Sequence, residues 1–233
     1  KVNLSGTLDL YGATISKSFT LNGGILTNSS TSTAGGIGWG NGITLLADSK
    51  LTAATGATLN IGVPNNGAGK ITGAFAITIG DANNRGTVSF TNSTPHDYSG
   101  GTVVDYGVLQ LRAYFASPST GFVGTGTVTI NPNGRFDNFD YTVGNAITLN
   151  GGILSASSPN NPGVFSGVIT LTADSRIAGA TTQSSSGSVN ISGGIIGNFG
   201  VTIGTADLTG RVTFNGVTAP KVYSYTGSTI VAY

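Results

Sequence analysis

Two stretches decide the fold: FTLNGGILTNSS, Phe19–Ser30, and ITLNGGILSASS, Ile147–Ser158. At that shift of 128, residues Gly6–Thr27 match Gly134–Ser155 at ten of 22 positions. The echo continues downstream. ITLLADSKL from Ile43 returns as ITLTADSRI from Ile169, and AITIG ending at Gly80 returns as VTIG ending at Gly204. YSGGTVVDY, Tyr98–Tyr106, returns as YTGSTIVAY, Tyr225–Tyr233. The chain reads as one continuous domain, 1–233, made of two tandem units of ~127 residues, with unit one 1–127 and a shorter unit two 128–233.

Inside each unit, short runs such as TLDL, ATLNI and GTVSF alternate apolar and polar residues between Gly- and Asn-rich turns. That alternation is the period of a strand with one face buried. Six Asn-Gly pairs, at Asn22, Asn41, Asn66, Asn133, Asn150 and Asn215, read as turns. A repeating unit built of short strands favours a solenoid, in which stacked coils reproduce one side-chain ladder at every level. The expectation is an all-β parallel β-helix of about ten coils, roughly 50 Å long at ~4.8 Å per rung. Val, Ile and Leu stack inside it, and Thr, Ser and Asn form hydrogen-bonded ladders outside.

Composition agrees. Of 233 residues 8% are charged, against roughly 25% in an average domain. All nine acidic residues are Asp, and Glu and Met are absent. With 38 Gly and few strong helix formers, an all-α fold is ruled out. A net charge of +1 with no basic cluster gives no field for nucleic acid. No apolar run approaches the ~18 residues of a membrane helix, so membrane insertion of this segment is not expected. The absence of Cys excludes disulfides and thiol chemistry, and with one His a zinc site finds no ligands. No cofactor is expected.

The stretch from Tyr98 to Phe136 resembles the autotransporter-associated β-strand repeat, also called the passenger-associated transport repeat. The matching elements are Gly100-Gly101-Thr102, Gly107-Val108-Leu109-Gln110-Leu111 and Gly124-Thr125-Gly126-Thr127-Val128-Thr129-Ile130. The connector Arg112–Val123 departs from the family's spacing, being longer and more aromatic. The resemblance implies a right-handed parallel β-helix in the stalk of a bacterial surface or secreted protein, and it carries no catalytic residues.

Chemistry is sparse. Asp137 and Asp140 are the closest carboxylate pair, and Asp137 recurs as Asp9, so it reads as a ladder or turn residue rather than half of an acid–base pair. Asp48 and Asp174 read as Asx turns beside a basic residue. His96, between Pro95 and Asp97, reads as a solvated loop histidine. Thr127-Val128-Thr129 reads as a Thr-x-Thr triplet on a strand, by itself too little for a regular hydroxyl array. Trp39, Tyr114, Phe115 and Phe122 interrupt the strand rhythm, and they are either a ligand-contact patch or packing for the loops that carry them.

These readings together describe a non-catalytic, extracellular or cell-surface structural rod. The alternatives are an adhesin or carbohydrate-binding module using the loop aromatics, and a polysaccharide-degrading β-helix enzyme. Neither end of the sequence carries a charge cluster or proline stop, so the chain reads either as a piece of a longer passenger or as a unit that self-associates end to end through exposed strand edges, with surface glycans as a further partner.

Overall fold

The computed structural model describes residues 1–38, 42–62, 69–91, 94–112, 122–180, 187–215 and 223–232. Among them there is no helix, and every pairing between named strands is parallel. The chain is a parallel β-solenoid, winding so that strands one turn apart pair with each other and stack into sides.

Three sides are built in each early turn. The first side stacks Val2–Asn3, Phe19–Asn22, Ile43–Ala47 and Ile71–Thr72. The second begins with Thr7–Asp9, Ile25–Asn28, Ser49–Ala53 and Ile77–Ile79. It then continues through the front halves of two long strands, Thr102–Leu111 and Val128–Asn138, into Ile147–Asn150, Ile169–Ala173, Ile195–Gly197 and Tyr223–Tyr225. The third begins with Thr14–Ile15, Gly35–Ile37, Thr58–Ile61 and Thr87–Phe90. It takes the back halves of the same long strands and ends with Ile153–Ala156, Ser175–Gly179, Val201–Ile203 and Thr229–Val231. In the later turns the closing side is a separate stack of Thr142–Val143, Gly163–Phe165, Val189–Ile191 and Val212–Phe214.

The core follows from register. On the second side Leu8, Leu26, Leu51, Ile79, Val104, Ile130, Leu149 and Leu171 stand one above another. On the third, Leu59, Val88, Leu109, Phe136, Leu154 and Ile177 do the same. All but Leu8 are buried. Each such side chain contributes about 1.5–3 kcal/mol by leaving water. A slip of one residue would turn a whole column outward, so the alternation pins the register.

Polar groups inside the coil are held by the backbone. Asn28 and Asn138 are fully buried at strand ends. Asn28 Nδ2 donates to the carbonyls of Ser30, Thr33 and Thr58, while its Oδ1 accepts from Gly12 N. Asn138 Nδ2 donates to the Tyr141 and Val164 carbonyls, and its Oδ1 accepts from Tyr141 N. Gly35 faces the first of these amides: a Cβ there would lie 2.8 Å from Asn28 Oδ1. A side chain at that position would displace the corner.

Segments alike in sequence are not stacked on the same side. Phe19–Asn22 lies on the first side, whereas Ile147–Asn150 lies on the second. Ile25–Asn28 lies on the second, and Ile153–Ala156 on the third. Local contacts are nonetheless reproduced. Both Leu21/Asn22 and Leu149/Asn150 carry a register shift. Gly23 N donates to Ser49 Oγ as Gly151 N donates to Ser175 Oγ.

Candidate functional site

Three places on the solenoid concentrate polar chemistry. The first is an outward face of the second side. Thr129, Thr148 and Thr170 are Cα partners on successive rungs, half-buried like other outward residues of a packed sheet. Two residues on, Asn131 Nδ2 donates to Asp105 Oδ1 at 2.9 Å, Asn150 Nδ2 to Asn131 Oδ1 at 3.1 Å, and Thr172 Oγ1 to Asn150 Oδ1 at 3.1 Å. This is the external hydrogen-bonded ladder expected from composition, and it runs across four rungs. On the first side Thr20, Thr44 and Thr72 form a similar column, and Asn22 Nδ2 donates to Asn3 Oδ1. Thr127 lies just before the strand Val128–Asn138, whereas Thr170-Leu171-Thr172 lies wholly within Ile169–Ala173, so the one triplet singled out from sequence misplaces and understates the hydroxyl array. The columns assemble from residues one coil apart, a signal visible only once register is known.

The second is centred on Asp137, which is 1% exposed. Its Oδ1 accepts from Ser155 Oγ at 2.9 Å and faces Arg135 Nη2 at 3.5 Å. Its Oδ2 accepts from Gln110 Nε2 at 2.9 Å and from Ser157 Oγ at 2.5 Å. Arg135 also donates to Ser155 Oγ and reaches Asp207. The sequence reading of Asp137 as a ladder residue fits this geometry. Its oxygens are engaged and shielded from solvent, a poor arrangement for attacking a substrate or passing it a proton. Asp140 sits beyond the strand end at φ 123°, and its Oδ1 is buried without a hydrogen-bond partner. Asp9, the counterpart of Asp137, accepts from Ser29 N and Ser29 Oγ at the surface. Those bonds, opposed by partial burial, leave its carboxyl below the ordinary range.

Asp48 and Asp174 correct the Asx-turn expectation. Each carboxylate reaches up one coil, to Ala76 N and Gly200 N respectively, so they cap the next corner rather than their own turn. A shallow groove beside the first of them is lined by Ser5, Asp48, Lys50 and Thr78, among others, with no converging set of acid and base groups.

The third is His96, and here the sequence reading is overturned. His96 is 1% exposed, not a solvated loop residue. Its Nδ1 accepts from Ile71 N at 3.0 Å, and its ring meets the Phe90 edge at 4.6 Å between centroids. Burial, outweighing the opposed effects of Asp97 and Lys70, drives its pKa down to about 3. Proline on one side and Asp on the other suggested a polar loop, and only the packing against Phe90 and Tyr98 reveals a core residue. Tyr98 beside it is also buried, and its hydroxyl pairs with Thr102 Oγ1 at 2.5 Å.

Of the four aromatics singled out by sequence, Trp39, Tyr114 and Phe115 lie outside the described residues. Phe122 is 3% exposed and packs on Tyr141 at 4.4 Å between ring centroids, so it serves the interior and is not offered to a ligand. Among the described residues no three His, Asp, Glu or Cys side chains gather as a metal site, and no helix is long and apolar enough to cross a membrane.

The fold and its sites define a parallel β-solenoid whose polar residues chiefly brace one coil against the next. No family model, curated protein or solved structure matches the chain.

Proposed function

We propose that this chain is a non-catalytic structural solenoid of a bacterial surface or secreted protein, a stiff segment of a fibre or stalk. The observation that carries the proposal is the pair of uninterrupted apolar columns, Leu8 to Leu171 and Leu59 to Ile177, which tie successive coils into one body. The buried, fully engaged Asp137 also weighs against a hydrolase reading. In this reading each rung is one coil, giving about ten right-handed coils in two tandem units, and the segment Tyr98–Phe136 is a divergent autotransporter-associated repeat. Its partners are further coils of the same kind, joined end to end, or a glycan-bearing surface.

Electron microscopy of the purified chain, with its mass from light scattering, tests this. Straight rods near ~50 Å per chain, single or joined end to end, are expected from ~4.8 Å per rung. Compact or irregular particles would refute it. Glycan binding abolished by Trp39→Ala or Tyr114→Ala would replace it with the adhesin reading.

A further inference from the structure

The first side of the solenoid is closed by a side chain where its pattern calls for main chain. Up this side, Phe19 N donates to the Gly42 carbonyl and Ile43 N to the Lys70 carbonyl. On the next rung Ile71 N donates instead to His96 Nδ1 at 3.0 Å. The surrounding backbone keeps the parallel pairing, with Asp97 N donating to the Ile71 carbonyl and Ser99 N to the Gly73 carbonyl. Ile71 and His96 are both buried, so this amide has no water to fall back on. An acceptor at Nδ1 requires the neutral imidazole with its proton on Nε2, and Nε2 is buried without a partner.

We infer that His96 is an acid-sensitive latch: while neutral it holds the coil from Ile71 to Thr102 closed, and its protonation forces that coil open. A protonated ring has no lone pair for Ile71 N and would place a charge against Phe90 and Tyr98. The charged groups acting on the ring are Asp97, from its own segment, and Lys70, from the rung below. They pair with each other at 2.7 Å at the surface and offer it no free counter-charge. The Tyr98 hydroxyl is already engaged with Thr102. Mild acid should therefore act on this coil while the others stay shut.

Hydrogen exchange of the intact chain, corrected for the intrinsic pH dependence of exchange, reads the coil directly. A group neutral when closed and titrating at 6.5 when open raises the opening constant about 25-fold between pH 7 and pH 5. That loss of protection is expected in residues 70–102 and not in the coils around Ile169–Gly179. His96→Asn, which keeps an acceptor but does not titrate, should lower protection at both pH values and abolish the 25-fold change. Equal pH dependence in the variant, a change spread over the whole rod, or no change in the parent chain would each overturn the latch. Because His96 is the only histidine, ring nitrogen shifts of the unmodified chain give a second test. A neutral Nε2–H tautomer held to pH 5 is required, and a titration near 6.5 in the folded chain refutes it.

Discussion

Replacing Phe136 by Ala should split the solenoid's unfolding. Phe136 is fully buried and stands in the third-side column between Leu109 and Leu154. Its ring also meets Phe165 edge-on at 5.8 Å, tying the third side to the stack that closes the coil. Truncation of a buried Phe costs about 3–5 kcal/mol, of which the ring pair supplies about 1 kcal/mol. Phe136→Leu restores the aliphatic column and should cost about 1–1.5 kcal/mol. In a quasi-one-dimensional array each coil is stabilised by its neighbours, so one failed contact uncouples the parts on either side. Urea unfolding followed by far-ultraviolet circular dichroism should show one transition for the parent chain and the Leu variant, and two for the Ala variant. Hydrogen exchange should place the break at the coil of Val128–Asn138. Ala and Leu variants equal within about 0.5 kcal/mol, or one undivided transition for Phe136→Ala, would refute this account of how the coils cohere.

Asn138→Ala removes hydrogen bonds to the Tyr141 amide and carbonyl and to the Val164 carbonyl. The orphaned groups should cost about 2–4 kcal/mol in a denaturant titration, whereas Asn145→Ala, which removes bonds from a half-buried amide to the Gly124 and Gly126 carbonyls, should cost less. Gly80→Ala would set a Cβ 2.1 Å from the Tyr106 carbonyl at a φ of +73°, so the soluble yield and thermal midpoint should both fall sharply. Burial raises the Tyr98 hydroxyl above its ordinary value of 10.0, despite its bond to Thr102. The stability this represents is complete below pH 10 and declines above it, as the unfolded chain ionises first. Tyr98→Phe should therefore flatten the loss of stability between pH 10 and 12. Thr148 and Thr170 are Cα partners in a chain without Cys. A Thr148→Cys, Thr170→Cys double variant should cross-link under mild oxidation, while Thr148→Cys with Thr20→Cys, on different sides of the coil, should not.

The inner columns were legible in sequence because alternation within a strand is local: Ile147 and Leu149, and Ile169 and Leu171, point to the core whichever strand lies above, while the phase change at the corner Gly151–Gly152, which puts Leu154 and not Ile153 inside, is set by the turn. The external Asn ladder was also foreseeable as chemistry, though not as a set of partners. His96 and Phe122 were not legible, since each depends on what packs over a loop. Asp48 and Asp174 were misread for the same reason: an Asx turn and a bond to the coil above use the same residue in the same sequence, and only the path of the neighbouring chain distinguishes them.

By itself, the sequence determined a helix-poor chain of short amphipathic strands, recurring at a shift of 128, with apolar columns inside and Thr and Asn ladders outside, though not that Asn28 and Asn138 turn inward. Tertiary structure decided which side each strand occupies. The strands Thr102–Leu111 and Val128–Asn138 each run unbroken along two sides, where earlier coils use separate strands. The recurring segment therefore begins one side further round: Phe19–Asn22 starts on the first side and Ile147–Asn150 on the second. A shift of 128 residues is not a whole number of coils. The number of residues in a coil depends on how each corner is packed, and local alternation carries no record of that length.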